Sequence, residues 1–568
     1  MPESLISPGI LQRENDQSFI TRQPIAVGAA IIGPTVKGPV EIPTLVTSYS
    51  QYKNIFGSTI VSGSDVYSYF TSIAAYNYFN NGGDSLLVAR VVSGSYTSAV
   101  STAISSSISA SLQPAFVLET ISKGTIMNST GTEDSGGSLI SGTLDNLRWE
   151  IATSDTASGT FTLLIRRGDD VTNNKIILES FTNISLDPKA SNFISKVIGD
   201  YTQNYNSTNN QVEISGSYPN ASSYVRVKSI NNLTPDYFDN NGVAKNQYTG
   251  SMPLIASGTF GGATGAIGAG VNFYERINAT NTQGIVSANY SNMVALMSNK
   301  NDYKFNVLLT PGLYNTDYSA RITEIINNTQ NRGDYIYVVD MVGYGSTITS
   351  VTGQANSRNT SYAATYWPWL QIVEPDNGKN VWVPASTLIG GVYAFNDKAS
   401  EPWFAPAGLN RGGLGEVIRA ERKLTSDNRD TLYTNKVNPI ATFPGIGIAV
   451  YGQKTLQTKA SALDRVNVRR LLIELKSFIG QVAETLVFEQ NTIATRNNFL
   501  AKVNPYLENV QQRQGLYAFK VVMDDTNNTA DIIDRNQLVG QIYLKPTKTA
   551  EFILLDFNIL PTGAEFPS

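Results

Sequence analysis

Phe305-Asn-Val-Leu-Leu309, Ser319 to Asn331 and Tyr335-Ile-Tyr-Val-Val-Asp340 read in turn as strand, helix and strand. Alternation of this kind predicts an α/β layer domain. Working toward the N-terminus, a Gly/Ala-rich stretch from Gly258 to Gly270 reads as a linker. Residues 93–256 before it are rich in Ser, Thr, Asn and Gly. Their short alternating runs, such as Phe161-Thr-Leu-Leu-Ile165 and Tyr224-Val-Arg-Val227, predict a mostly β insertion. Residues 23–92 predict a smaller α/β part: strand Ile25 to Ile32, helices Tyr49 to Phe56 and Val66 to Phe79, and strand Leu86 to Val92. Gly82-Gly83 closes the second helix. Residues 1–22, with Pro8-Gly9 and few periodic apolar positions, read as an extended arm that spans about 70 Å at ~3.3 Å per residue.

Toward the C-terminus the central α/β domain is expected to occupy 257–437 and a third region 438–549. In that region Val468, Leu471, Leu472, Leu475, Ile479, Val482 and Leu486 keep helical spacing. A second helix, Ile493 to Gln512, ends before Gly515, and strand Tyr517 to Met523 follows. Residues 550–568 read as a C-terminal arm or strand, with Ile553, Leu555, Phe557 and Ile559 alternating onto one face. The fold class is therefore a multidomain α+β or α/β chain with a mostly β insertion.

Composition narrows the chemistry. The 568 residues include no His and no Cys, which removes the usual general acid or base near neutral pH and most zinc, haem and thiol sites. Charged residues are 15%, so the surface is largely neutral and polar, as suits a packed assembly and equally an extracellular β-rich protein. With 42 Lys and Arg against 46 Asp and Glu, the chain lacks the electrostatic footprint of a nucleic-acid binder. No stretch has the apolar length of a membrane span, and the N-terminus does not read as a signal peptide. Expected cofactors and metals are none.

Of three motifs, two resolve to structural readings and one stays open. Gly447 to Thr455 nearly spells a P-loop, but the inserted Gln453 misplaces Lys454. Asp524, Asp525 and Asp531, with Asn527 and Asn528 between them, lack the spacing, central Gly and closing Glu of a calcium loop, and read as a solvated turn. Arg465, Arg469 and Lys476 share one helical stripe beside the apolar face, which reads either as a solvated face or as a dock for an acidic partner.

A specific resemblance then emerges. Asn438-Pro-Ile440, Phe443-Pro-Gly-Ile-Gly447, Val466-Asn-Val-Arg-Arg-Leu471, Phe488-Glu-Gln-Asn491 and Ala550-Glu-Phe-Ile553 resemble the C-terminal domain of contractile phage tail sheath proteins. Ser7-Pro-Gly9 and Lys37-Gly-Pro39 resemble that family's opening segment, and Tyr366-Trp-Pro-Trp-Leu370 with Ala405-Pro-Ala407 its central domain. Phe395-Asn396 departs from the Arg-Thr that the family more often places before the Asp, here Asp397.

The resemblance implies a structural, non-enzymatic sheath subunit. Such subunits stack as hexameric rings around a tail tube and contract to drive it through a cell envelope. The implied partners are copies of itself, the tail tube protein, and baseplate and tail terminator proteins, with no direct nucleic-acid contact and no membrane insertion. The implied place is the virion tail, assembled in the host bacterial cytoplasm. Terminal arms would add strands to neighbouring subunits, with Pro8, Gly9 and Ile10 in one and Phe552, Leu554, Phe557 and Ile559 in the other. Arg465, Arg469 and Lys476 would face the tube. The rival readings are a virion surface module that binds carbohydrate through the insertion, whose only Trp is Trp149, and the sheath of a non-phage contractile injection particle. A glycosidase needs a paired-carboxylate cleft that no sequence pair points to.

Overall fold

The computed structural model describes residues 27–62, 65–107, 114–131, 133–266 and 277–551. Both predicted arms, apart from Ala550 and Glu551, lie outside these residues.

The strand–helix–strand unit sits at the centre of a six-stranded sheet. Its strand order is Ala363–Ala364, Ile336–Asp340, Phe305–Tyr314, Val27–Gly33, Leu86–Arg90 and Thr44–Val46. All neighbours run parallel except the last pair. The central strands are apolar at consecutive positions because both faces are covered. Ala29, Ile31, Val307 and Leu309 pack with helices Phe70–Asn80 and Ser386–Ala399. Ala30, Ile32, Leu308 and Tyr337 pack with helices Tyr290–Leu296 and Asn315–Arg332 on the other side. On the first face the two helices approach closely because position 391 is glycine; a Cβ there would stand 2.7 Å from the Asn77 carbonyl oxygen. Gly82, at φ +97°, takes the turn that ends the helix Phe70–Asn80.

That helix begins later than its apolar pattern suggests. Asp65–Ser68 pairs antiparallel with Thr59–Ser62, so the hairpin takes Val66 and Tyr67 and the helix starts at Phe70.

The insertion is an antiparallel sheet built around Phe116, Trp149 and Phe161. Its path also corrects the linker reading. Ala256–Gly261 is a strand, paired with Leu147–Asp155 on one side and Ser98–Ser101 on the other. Gly258 is there for packing rather than flexibility: a Cβ would meet the Trp149 ring at 2.4 Å. The exit strand thus stitches the insertion shut, and the insertion's sheet extends past residue 256.

Asn438–Phe443 pairs parallel with Tyr366–Trp367 and antiparallel with Gly447–Val450, and Ile440 and Val450 enter the central core. The central domain's packing therefore continues beyond 437. The third region proper is two helices, Val466–Glu484 and Ile493–Gln512, and a two-stranded sheet of Leu516–Val522 and Gln541–Pro546. Leu471, Leu475, Phe499, Val503, Leu507 and Leu516 form its core, with Trp403 packed in from the central domain.

Candidate assembly interface

The basic stripe is where the third region meets the rest of the chain, and its members have different surroundings. Arg465 immediately precedes the helix Val466–Glu484. Its Nε and Nη2 donate to the two Glu551 carboxylate oxygens at 2.7 and 2.9 Å, a two-pronged pair. Tyr433 Oη donates to the same carboxylate at 2.7 Å and Gln453 Nε2 at 3.0 Å. Burial alone would push the Glu551 carboxyl up, but these hydrogen bonds and the Arg465 charge outweigh it and hold the group below its usual range. Burial would likewise lower Arg465, yet the same pair keeps it above its usual value. This node ties Glu551, at the start of the predicted C-terminal arm, to Arg465, Tyr433 and Gln453.

Arg469, one turn on, is buried; its guanidinium lies 3.9 Å from the Tyr362 ring centroid and donates to Ser361 Oγ. Lys476 is exposed, with Nζ 3.3 Å from Tyr362 Oη. The stripe therefore does not present three free charges: Arg465 and Arg469 are engaged within the chain, and Lys476 is the member that faces outward. Arg470, next to Arg469, pairs with Asp397, the acid of the central-domain motif, and Asn396 beside it donates to the Glu401 carbonyl at 2.9 Å.

The near P-loop has no phosphate cradle. Gly447–Val450 is a strand, Gln453 is buried and reaches Thr549 and Glu551, and Lys454 Nζ lies over the Tyr433 ring at 4.3 Å. The residue that spoils the motif is thus one that builds the Glu551 node. The Asp/Asn turn is held by its own side chains, with Asn528 Nδ2 donating to the Asp524 and Val539 carbonyls. Among the described residues no cluster of three or more acidic side chains could hold a metal. No helix there is long and apolar enough to cross a membrane.

The two-stranded sheet stands by itself among the described residues, with neither outer edge paired. Along Gln541–Pro546 exposed and half-buried positions alternate, so one face leans on the helices and the other is open. A lone pair of strands is marginal in water, and open edges invite further strands. Pro8, Gly9, Ile10, Phe552, Leu554, Phe557 and Ile559 all lie outside the described residues. The sequence pattern pointed to Arg465 but not to Glu551, because a pair 86 residues apart leaves no periodic signal.

Residues 283–456 match the phage tail sheath protein central domain, and residues 458–559 match the phage tail sheath C-terminal domain. The tail sheath protein of Vibrio phage KVP40 is 40% identical over 233 residues, which are 40% of this chain and 35% of that protein. That of Enterobacteria phage T4 is 35% identical over 229 residues, with the same coverage of each chain. The matched part is thus about a third of the length of these curated relatives. The helical sheath of the anti-feeding prophage in its contracted state is similar to this chain with a TM-score of 0.49 at 14% identity, over 98% of this chain and 99% of that one. Two successive sheath domains over residues 283–456 and 458–559, together with tail sheath relatives at this level of identity, identify this part of the chain with the contractile phage tail sheath family.

Proposed function

We propose that this chain is a structural subunit that polymerises as stacked hexameric rings around a tail tube and contracts to drive the tube through a host cell envelope for genome delivery. Its partners on this reading are copies of itself, the tube protein, and baseplate and tail terminator proteins. Its place is the virion tail, after assembly in the host cytoplasm. The family it matches is structural rather than enzymatic.

The observation that carries the reading is the two-stranded sheet with both edges unpaired among the described residues, in the part of the chain that matches the C-terminal sheath domain. Such edges suit strands from neighbouring copies, and main-chain hydrogen bonds would then link subunits while their bodies rotate. Residues 1–22 and 550–568 are the proposed donors. The Glu551 node supports this, because a strand that tethers a neighbour transmits force only if its root is fixed. Contraction of this kind needs no catalysis; it runs on subunit contacts that improve in the contracted lattice. Contacts to a tube that must slide should be few and polar, and of the tube-facing candidates Lys476 is the exposed one.

The carbohydrate-binding alternative loses its best candidate, since Trp149 is 1% exposed and offers no stacking surface. The test is deletion of residues 1–22. The truncated chain should remain a folded monomer by thermal melting and fail to form long sheaths; normal-length sheaths would reject the arm role.

A further inference from the structure

The turn between the two C-terminal helices presents an apolar tip. Phe488 is fully exposed at φ +72°, and its neighbour Val487 is 62% exposed. A non-glycine residue in that backbone region is strained, and a bare aromatic ring gains nothing in water. The strained turn is nonetheless firmly built. Leu486 is buried in the core below it, the Glu489 N–H donates to the Leu486 carbonyl at 3.0 Å, and Asn491 Nδ2 donates to the Gln537 carbonyl at 2.9 Å.

A complementary surface lies at the other end of the same helix. A groove of about 960 Å³ opens beside the Glu551 node, walled by Trp403, Phe404, Tyr433, Tyr451 and Tyr517. Tyr451 and Tyr517 are 49% and 64% exposed, so the wall is aromatic and open to solvent. The groove's free charge is mainly positive. Arg411 and Arg429 lie over the Phe404 and Tyr451 rings at 5.2 and 5.6 Å and make no ion pair among the described residues, and Lys548 is exposed at the rim. Against them stands Asp430, since Glu551 is taken by Arg465. The tip carries the opposite sign: Glu484 and Glu489 flank the ring, both exposed and without an ion pair among the described residues.

The tip cannot fill its own groove. Asn467, in the first turn of the helix, lines the groove, whereas Phe488 lies beyond the last turn. The 19 residues of Val466–Glu484 separate the two by roughly 28 Å at ~1.5 Å per residue.

We propose that Phe488 of one copy seats in the aromatic groove of a second copy, with Glu484 and Glu489 facing Arg411 and Arg429. Two different patches on one chain make a heterologous contact, which propagates into a ring or a helix rather than closing as a dimer. The inference rests on the sheath reading, and it adds a contact between subunit bodies to the one through the arms.

The chain has no cysteine, so introduced ones report alone. Val487→Cys leaves the anchor ring in place, and Asn410→Cys sits on the groove rim. Oxidising an equimolar mix of the two single variants under assembly conditions should give a disulfide-linked pair, and the double variant a ladder of multiples. Phe488→Ala should raise the critical concentration for polymerisation on the order of 30-fold, as for an aromatic anchor worth about 2 kcal/mol. The monomer's melting temperature should not fall, because the ring is fully exposed. Striated polymers without the ladder, or Phe488→Ala polymerising at the wild-type concentration, overturn the contact and leave the sheath reading standing. Neither polymer nor ladder, with or without tube protein, overturns both. If Val487→Cys instead links to a cysteine in a co-assembled tube protein, or Asn410→Cys to one placed within residues 552–568 of its own chain, the occupant is wrong and the proposal falls.

Discussion

Glu551→Ala should loosen the chain's exit from the C-terminal domain without unfolding the domain. The variant removes the acceptor for Arg465, Tyr433 and Gln453 at once. Breaking a fully buried ion pair costs about 3–5 kcal/mol and an exposed one about 0–1 kcal/mol. The Arg465 and Glu551 side chains are 25% and 18% exposed, between those limits, so about 2 kcal/mol is expected. That is roughly a 30-fold rise in the population of the released segment.

Trypsin reads this directly. Lys548 is exposed three residues before the node, while Lys545 is protected by the following Pro546. Cleavage at Lys548 tracks the open population when reclosing is fast. Release of residues 549–568, followed by mass spectrometry, should be roughly 30-fold faster in the variant at neutral pH, with an unchanged melting temperature. The pH dependence has a fixed sign. The Glu551 carboxyl is held below its usual 4.5, so its contribution is complete above that value and is lost as pH falls through the folded-state value. With an acid-active protease, wild type should approach the variant as pH falls through the depressed folded-state value, while the variant stays flat. Equal cleavage rates of wild type and variant at pH 7 would refute the node's role.

Other outcomes follow from the core. Asp340 is buried at the end of its strand, where it accepts from the Ser386 N–H and Oγ–H at 3.2 and 2.5 Å, and burial pushes its carboxyl up to about 7. The folded state therefore holds a proton that the unfolded state gives up near 4, and stability should fall as pH rises toward and through 7. Asp340→Asn should flatten that part of the melting-temperature profile; an identical slope in both proteins would exclude Asp340 as its source. Gly391→Ala should lower monomer stability by about 1–3 kcal/mol in denaturant titration, because the added methyl meets the Asn77 carbonyl, and a neutral result would mean the helices can separate freely.

The layered core was legible because burial on both faces writes continuous apolar strands separated by helical periods, as in Phe305–Tyr314 and Asn315–Arg332. The helices Tyr49–Phe56 and Ile493–Gln512 lie where their patterns place them. Errors arose where one residue type serves two physical ends. Gly258 looked like a flexible linker, but the strand needs it to lie against Trp149. Val66 fitted a helical period, yet it is taken by a hairpin. Asn438 seemed to open a new region because its pairing with Tyr366 spans 72 residues and leaves no local trace. The basic stripe was visible as a pattern, but its partners were not: Glu551 and Tyr362 lie far away in sequence, and they decide that two of its three cations turn inward.

The most direct test of a self-assembling sheath subunit is to express the chain alone and image it by negative-stain electron microscopy. The account predicts long hollow tubes with helical striations. Monodisperse particles that stay so when a tube protein is co-expressed would contradict it.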